Sequence, residues 1–250
     1  MGLVKTAGIV TKVTKYGDTS LIITAITKDF GKISAIAASV RTKNSRMRMG
    51  TQLFAYSEMV LYRGKNKNGL YSINEITAAE SFSGICLSLD KLSYAAYFAE
   101  AASYAAAEES PDEELLRLLL NVLYALDREL QPPEKIKTVF EWRLAQNAGY
   151  APMLDRCGLC GREDSLAALS LDNAYAVCEE CAEGTADSVR LSEGMMKIID
   201  YICRADSKKI FSFDAAQSTV EYLSRVSEIY LSRRFEHEFA SLEFLKKVKD

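Results

Sequence analysis

Four of the six cysteines are arranged as two closely spaced pairs. Cys157 and Cys160 form one Cys-x2-Cys pair, and Cys178 and Cys181 form a second after seventeen intervening residues. This arrangement is typical of a zinc site with four thiolate ligands, because each tight turn directs two sulfurs at one metal ion. Four thiolates complete the tetrahedron and leave no position for an activated water. The sequence therefore predicts one structural Zn²⁺ site without a catalytic role.

Two disulfides, or four reduced thiols without metal, are the alternative interpretations of these pairs. We expect an intracellular protein, where disulfides are rare, and this favours zinc. Gly158 and Gly161 give the first turn the backbone freedom that it needs, whereas the second pair has no glycine, which counts against a similar turn there. Cys86 and Cys203 lie in helical patterns and are expected to be ordinary buried thiols.

Catalytic motifs are not found in the sequence. The single histidine, His237, is expected on a helix surface rather than as a base. No glycine-rich phosphate loop, GxSxG or HExxH motif occurs. The sequence therefore indicates a binding protein and not an enzyme.

Charge is unevenly distributed along the chain. The whole protein has a net charge of −3, yet residues 1–80 contain 12 basic and 5 acidic side chains, and the remainder contains 19 basic and 29 acidic ones. A basic module attached to an acidic body is expected when the module meets a polyanion. The alternative is a solvated surface on which charge is segregated without function.

The first eighty residues have the pattern of a small all-β module. Stretches rich in Val, Ile and Thr are separated by turn residues, and five short strands in this length favour a closed barrel. The predicted strands are Ala7–Val13, Leu21–Thr27, Ile33–Ala37, Gln52–Tyr62 and Leu70–Ile76.

Beyond residue 80 the pattern becomes helical. Ser110-Pro111-Asp112-Glu113 predicts a helix start, with Ser110 as the cap and Pro111 at the first helical position. The predicted helices cover Leu87–Ala107, the segment from Ser110 to Leu130, Pro132 to Gly149, Ser192–Arg204, Phe213–Phe235 and Glu238–Lys247. We expect two domains, at residues 1–80 and 81–250, the second interrupted by an irregular, cysteine-bearing insert at about 153–190.

No segment is expected to enter a membrane. The uncharged run from Leu92 to Ala99 is far shorter than the roughly 20 apolar residues that a spanning helix requires. The N-terminus also lacks the apolar core of a secretory signal. These features predict a soluble, cytoplasmic protein.

Several segments taken together resemble one protein family. The N-terminal ones are Gly8-Ile9-Val10, Tyr16-Gly17-Asp18-Thr19-Ser20-Leu21-Ile22, Thr27-Lys28-Asp29-Phe30-Gly31-Lys32-Ile33-Ser34, the loop Arg41–Gly50 and Glu58-Met59-Val60-Leu61-Tyr62-Arg63-Gly64. The C-terminal ones are Phe140-Glu141-Trp142-Arg143-Leu144, Gly149-Tyr150-Ala151-Pro152 and the two cysteine pairs. In order and spacing they resemble the bacterial recombination mediator RecO family over most of the chain.

This resemblance implies an α+β multidomain protein: an N-terminal OB-fold β-barrel followed by an α-helical domain with a small four-cysteine zinc insert. It also implies binding of single- and double-stranded DNA, strand annealing, contact with the C-terminal tail of SSB, and cooperation with RecR in loading RecA, in the cytoplasm at the nucleoid. The basic loop is less densely charged than the family pattern, which predicts weaker DNA affinity or more reliance on RecR. The alternative function is a zinc-stabilised OB-fold factor in transcription or RNA processing.

An OB barrel holds a single strand in a cationic groove with aromatic faces for the bases. The candidate cations are Lys12, Lys15, Arg41, Lys43, Arg46, Arg48, Arg63, Lys65 and Lys67. The aromatic candidates are Tyr16, Phe54, Tyr56, Tyr62 and Tyr71, although for each of them the barrel core is favoured over a stacking platform. Arg46 and Arg48 are the foremost candidates because their loop has few apolar residues to bury.

The acidic body is expected to contact proteins. An acidic tail with an apolar end requires a hydrophobic pocket beside a cation. Trp142 with Arg143, or Tyr230 with Arg233 and Arg234, are the candidate residues, although a position in the helix core is favoured for Trp142.

Overall fold

The computed structural model describes residues 2–43, 45–63 and 69–249. Packing divides the chain into two compact units, one comprising Met1–Leu130 with Phe239–Asp250 and the other Gln131–Glu238. This division differs from the predicted boundary at residue 80, because helices that follow the strands pack within the first unit. In the part of the chain that is described, no helix combines the length and apolar character that crossing a bilayer requires.

The first unit begins with a closed five-stranded barrel, in the order β1-β2-β3-β5-β4. Its strands are β1 (Leu3–Tyr16), β2 (Ser20–Thr27), β3 (Gly31–Ala37), β4 (Tyr56–Arg63) and β5 (Tyr71–Glu80). The predicted barrel is thus confirmed. Strand β4 begins four residues later than Gln52, because residues 52–55 form a turn in which the Ala55 N–H donates to the Gln52 carbonyl at 3.2 Å.

Strand β1 serves two sides of the barrel. Its first half pairs with β4 and its second half with β2, with an irregularity in the register between Val10 and Lys12. At this point the Val10 N–H donates to the Ala55 carbonyl and the Phe54 N–H donates to the Val10 carbonyl. An irregularity of this kind bends a strand, so one continuous strand can close the barrel. The end of the connection between β3 and β4 therefore lies against β1 at Val10.

The barrel interior is aliphatic and follows the alternation of the strands. In β3, Ile33, Ala35 and Ala37 are buried while the residues between them are half-buried. Met59 and Leu61 of β4 belong to the same cluster of buried side chains. The alternation sends every second side chain inward, as the Val-, Ile- and Thr-rich pattern predicts.

Seven α-helices follow in the described residues. They are α1 (Leu89–Ala105), α2 (Glu113–Asp127), α3 (Pro133–Asn147), α4 (Glu179–Ala182), α5 (Glu193–Arg204), α6 (Gln217–Phe235) and α7 (Ala240–Lys249), and a 3₁₀ helix (Ile85–Leu87) precedes α1. Cys86 lies in the 3₁₀ helix and is exposed, so its predicted burial is wrong, whereas Cys203 is buried. His237 lies between α6 and α7 and not within a helix.

Helix α2 starts later than predicted. Its cap is Asp112, whose side chain accepts from the Leu115 N–H at 2.9 Å, and not Ser110. The reason is that the preceding backbone is tied to strand β3: Lys32 N–H donates to the Ala107 carbonyl, and Glu109 N–H donates to the Lys32 carbonyl. The helix therefore begins only after the residues that are bonded to β3.

The C-terminal helix α7 packs on α1 in the first unit. The Ser241 N–H donates to the Glu100 carboxylate at 2.8 Å, and the Lys249 ammonium donates to the Tyr94 hydroxyl at 2.8 Å. The Phe239 and Tyr97 rings meet edge-on at 5.8 Å. The two ends of the sequence therefore contribute to one compact unit.

The second unit combines the helices α3, α5 and α6 with a small sheet. Its strands are β6 (Met153–Cys157), β7 (Leu166–Ser170), β8 (Tyr175–Cys178) and β9 (Ser188–Arg190), in the order β6-β8-β7-β9. Strand β6 runs parallel to β8, and the other pairs are antiparallel. The segment that was expected to be irregular is thus a four-stranded sheet, whose strands are too short for a clear alternation in the sequence.

Candidate metal centre and nucleic-acid interface

The four predicted ligands converge at one point of this sheet. The Sγ atoms of Cys157, Cys160, Cys178 and Cys181 all lie within 4.8 Å of one another. The Cys160 and Cys178 sulfurs are 3.7 Å apart, and all four residues are free thiols. A tetrahedron with metal–sulfur bonds of about 2.3 Å has edges of about 3.8 Å. The cluster thus has the size and donor set of a metal centre with four thiolate ligands, as the spacing predicts.

The first cysteine pair lies on a tight turn after β6. The Gly161 N–H donates to the Cys157 carbonyl at 2.9 Å, and the Cys157 N–H donates to the Arg162 carbonyl at 2.7 Å. Gly161 has φ +77°, a conformation that favours glycine, as expected. Gly158 is needed for a different reason, because a Cβ there would be 2.2 Å from the Tyr175 ring. The contribution of Tyr175 was not predicted, since it lies on another strand.

The second pair uses a strand-to-helix junction. Cys178 ends β8 and, with φ −74° and ψ 168°, precedes helix α4, which contains Cys181. Every residue type adopts these dihedral angles, so the absence of glycine is no obstacle. The expectation that the lack of glycine weakens the second pair is therefore wrong.

The thiols of the cluster differ in acidity when no metal is bound. Burial disfavours ionisation of Cys157, but hydrogen bonds from the backbone N–H groups of Cys160, Cys178 and Leu159 outweigh it and lower the pKa to about 6. Interaction with the Cys178 side chain, together with desolvation, raises the pKa of Cys181 to about 12. Because metal binding requires thiolates, binding at this centre would release protons.

The barrel surface carries a group of cations without acidic partners. The group consists of six lysine and arginine side chains, and among the described residues no carboxylate lies within ion-pair distance of any of them. Arg63, by contrast, has a carboxylate partner. Lys12 and Lys15 are on β1, and the other four are on the connection between β3 and β4. We call this group the cationic surface: Lys12, Lys15, Arg41, Lys43, Arg46 and Arg48, all exposed. Lys65 and Lys67 lie outside the described residues.

Two arginines of the cationic surface are held by backbone carbonyls. Arg41 donates from Nη1 to the Gly17 carbonyl at 3.3 Å, and its own N–H donates to the Thr19 carbonyl at 2.8 Å. Arg48 donates from Nη2 to the Thr42 carbonyl at 2.8 Å. These bonds orient the guanidinium groups while leaving their charge uncompensated. They also attach the connection to the β1–β2 hairpin.

Arg63 has an acidic partner, unlike the other predicted cations that the structure describes. Its Nη2 is 2.6 Å from Glu109 Oε1, and its guanidinium lies over the Tyr71 ring at 5.5 Å. The interaction with Glu109 raises the pKa of Arg63 further above its ordinary value. An exposed ion pair contributes little stability, so phosphate can compete for this arginine, but at the cost of the pair.

The aromatic candidates divide into core and surface. Phe54 and Tyr71 are buried, and Tyr71 belongs to the barrel interior, so neither ring can serve as a stacking platform. Tyr56 is half-buried. Tyr16 and Tyr62 are exposed. Of these, Tyr16 lies beside the cationic surface, at the end of β1 that carries Lys15.

Neither candidate pocket for an acidic tail exists as predicted. Trp142 and Tyr230 are fully buried with ring centroids 4.9 Å apart, so they form the core of the second unit. Arg143 is also buried, and its Nη1 donates to the carbonyl oxygens of Cys203 and Ala205.

The two remaining arginines of that prediction are also engaged. Arg233 pairs with Asp172 at 2.5 Å. Arg234 lies over the Tyr230 ring at 5.0 Å and donates to the Leu171 carbonyl. The structure thus places Trp142, Arg143 and Tyr230 inside the second unit, whereas the Arg233 side chain is 42% exposed. Docking of an acidic tail beside Arg233 and Arg234 stays a prediction.

Comparison with known proteins identifies the family. A model described as recombination protein O, N terminal, matches residues 1–82, and one described as recombination protein O, C terminal, matches residues 86–243. The chain belongs to the RecO family. A protein of Acetivibrio thermocellus named DNA repair protein RecO is 37% identical over 250 residues, covering 99% of this chain and 98% of the relative. A RecO of Alkaliphilus metalliredigens is 30% identical, covering 98% and 100%.

Membership in the RecO family identifies the fold of the observed barrel. The closed five-stranded sheet at residues 3–80 is the OB-fold of the N-terminal domain of this DNA repair family. The resemblance that the sequence motifs indicated is thus confirmed over the full length. The alternative of an unrelated transcription or RNA-processing factor loses its support.

Proposed function

We propose that this RecO-family protein is a non-enzymatic recombination mediator that binds single- and double-stranded DNA on its barrel. The observation that carries the proposal is the cationic surface, six exposed cations with no acidic partner among the described residues. On the helices, by contrast, many of the described cations are paired with a carboxylate, for example Arg117 with Glu113 and Arg204 with Asp200. Uncompensated charge on one surface favours a polyanionic ligand.

The chemistry of these side chains predicts how DNA would be held. Lysine and arginine contact phosphate oxygens, which carry no sequence information. Binding would therefore be largely independent of sequence and would weaken steeply with salt, because each neutralised phosphate releases counterions. Such binding suits a protein that must handle any exposed strand.

The direct test reverses two charges of the cationic surface in the full-length protein. Arg46→Glu with Arg48→Glu should weaken binding to single-stranded DNA by tenfold or more at low salt and reduce the log–log salt slope by about 1.4, since each phosphate contributes about 0.7. The matched control is Lys5→Glu with Lys28→Glu. These lysines are exposed on the same barrel, and Lys28 lies at the opposite end of β2 from the β1–β2 turn.

Retained affinity in the double variant, or an equal loss in the control, would contradict the proposal. Thermal unfolding distinguishes a binding defect from a folding defect. Arg46 is exposed, and the Arg48 side chain makes a single described hydrogen bond, within its own loop, so neither change should alter the melting temperature noticeably.

The protein partners belong to the same proposal. We assign annealing of SSB-coated strands, and RecA loading with RecR, to cooperation between the barrel and the acidic remainder of the chain. The test is annealing of complementary strands covered with SSB. The wild type should accelerate it without nucleotide hydrolysis, and the Arg46→Glu, Arg48→Glu variant should not. Equal annealing rates for both proteins would show that annealing does not depend on the cationic surface.

Zinc is the metal that we propose for the four-cysteine centre. Four thiolates at this spacing suit Zn²⁺, which would hold β6, β8 and α4 together without taking part in a reaction. Purified protein should contain one zinc per chain, and Cys178→Ser should lose it and lower the stability of the second unit. Cys86→Ser is the control, because this cysteine is exposed and lies outside the cluster. Another metal in the purified protein, or retention of zinc by Cys178→Ser, would contradict the assignment.

A further inference from the structure

A small apolar cleft opens within the cationic surface. Its volume is about 230 Å³, and its walls are mainly aliphatic: Val13, Leu21, Val40 and Leu53, with Arg41 and Arg48 at its edge. Leu53 is 37% exposed, so the apolar wall is accessible to a ligand. The volume lies below the roughly 300–1,000 Å³ typical of sites for whole small molecules. It is suited to one ring-sized apolar group.

Two cations line this cleft, and a third lies on the same sheet face as part of its wall. Arg41 and Arg48 line it directly. Lys15 lies directly opposite Leu21 in the β1–β2 ladder, and Val13 is two residues from Lys15 in an unbroken register. Directly opposite residues share one face of a sheet, as do residues two apart on a strand. Lys15 therefore points to the same face as the two apolar residues of the cleft wall.

The combination matches the structure of a nucleotide. A base is a flat ring with apolar faces, and the phosphates on either side of it are anionic. This inference rests on the proposed function. The geometry points to a subsite in which one unstacked base of single-stranded DNA enters the cleft, while Lys15, Arg41 and Arg48 contact its flanking phosphates. Double-stranded DNA, whose bases are stacked and paired, would use the cationic surface but not the cleft.

An acidic peptide with an apolar end has a related chemistry and is the competing occupant. The observations favour DNA, because the cleft lies within a longer group of cations that continues to Lys12, Lys43 and Arg46 on the same strand and connection. A short peptide end would need only the cations at the cleft. Tyr16, exposed at the end of β1 beside Lys15, offers a neighbouring base a stacking face.

The test compares two oligonucleotides of equal length and phosphate number, an oligothymidylate and its abasic counterpart. The full-length wild type should bind the base-bearing strand about fivefold or more tightly, because only this strand has a ring whose apolar surface the cleft can bury. Leu53→Glu should strongly reduce this preference. Met49→Glu should keep it, because Met49 is exposed on the same connection but does not line the cleft. Both variants add the same charge, so the ratio of the two affinities isolates the base.

Leu53→Ala, which adds no charge, should also reduce the preference for the base-bearing strand. This variant tests the cleft even if Leu53→Glu does not fold. Equal binding of both strands by the wild type would overturn the base subsite while leaving DNA binding by the barrel intact. Failure to bind either strand at low salt would overturn both proposals. A peptide of acidic residues ending in phenylalanine supplies the last arm. If it binds the wild type but not Leu53→Glu, and base preference is the same in both proteins, the cleft belongs to a peptide.

Discussion

Position 158 accommodates only glycine, because the Tyr175 ring fills the space that a side chain would need. A Cβ at this position would lie 2.2–2.6 Å from three ring carbons of Tyr175. We predict that Gly158→Ala destabilises the second unit by about 1–3 kcal/mol, the usual cost of overpacking. Thermal unfolding and zinc content measure the effect.

Gly184 is the matched control in the same module. Its nearest neighbour would be the Cys181 carbonyl oxygen at 3.9 Å from the added Cβ, so Gly184→Ala should change the stability by no more than about 0.5 kcal/mol. Similar effects of the two substitutions would show that the Tyr175 contact is not the reason for Gly158.

Asp187 gives the second unit a pH-dependent contribution to stability. Its carboxylate accepts from the Asp172 N–H and from the Ser170 hydroxyl, both at 2.8 Å. The Asp172 N–H is the main cause that holds the pKa of Asp187 below its usual range, and Ser170 and Arg233 add to it. A carboxyl group whose pKa is lowered by folding stabilises the protein above its ordinary pKa of about 4, and this contribution disappears as the pH falls through the folded value.

We therefore predict that Asp187→Asn lowers the melting temperature most clearly at pH 7. The difference from the wild type should shrink as the pH falls below about 5, because Asp187 of the unfolded chain takes up a proton first, and it should be lost once the pH has fallen through the lowered pKa of the folded protein. Melting curves of both proteins across this range measure it. A difference that stays constant with pH would contradict the assigned role of the charge.

At the residue scale, sequence reasoning predicts what depends on local spacing. The metal-ligand set required only two Cys-x2-Cys pairs, which bring their sulfurs together through short turns. The helix-core position favoured for Trp142 is confirmed, whereas the burial of Arg143 was not predicted, because it depends on α5, which is distant in sequence. A buried arginine that donates to the last carbonyls of α5 leaves no local signal.

Helix α7 is the element whose place in the fold is least evident from its position in the chain. Phe239 immediately before it is buried against Tyr97 and Tyr104 of α1, with ring centroids at 5.8 and 5.7 Å. Phe239→Ala should destabilise the first unit by about 3–5 kcal/mol, as expected for a buried phenylalanine. Phe244→Ala, on the exposed side of α7, should have an effect near zero.

Hydrogen exchange locates the effect of these substitutions. In Phe239→Ala, protection should decrease in residues 2–130 more than in residues 131–238, because α7 packs within the first unit. A loss of protection confined to residues 131–238 would contradict this arrangement.

At the element scale, the strength of a pattern determined the success of its prediction. The barrel strands β1–β3 and β5 have Val-, Ile- and Thr-rich sequences bounded by turns, and the predicted ranges overlap those observed. Strands β6–β9 are three to five residues long, which is too short for alternation to be visible. The start of α2 was misplaced because its position depends on hydrogen bonds to β3, a contact between segments about eighty residues apart.

At the scale of the whole molecule, charge is separated along the chain. The barrel region carries a net positive charge and the remainder a net negative one, although the total is only −3. The structure adds that the barrel cations outside Arg63, among the residues described, are largely without acidic partners, whereas Glu109 compensates Arg63. The sequence therefore indicates where DNA would bind, and the structure narrows the set of residues.

The central claim is that this unpaired charge on the barrel binds a nucleic-acid strand through its phosphates. The salt dependence of single-stranded DNA binding by the full-length protein tests it most directly. If all six cations of the cationic surface contact phosphate, the slope of log K against log salt should be about −4, at about 0.7 per phosphate. A slope near zero, or no detectable binding in dilute buffer, would contradict the claim.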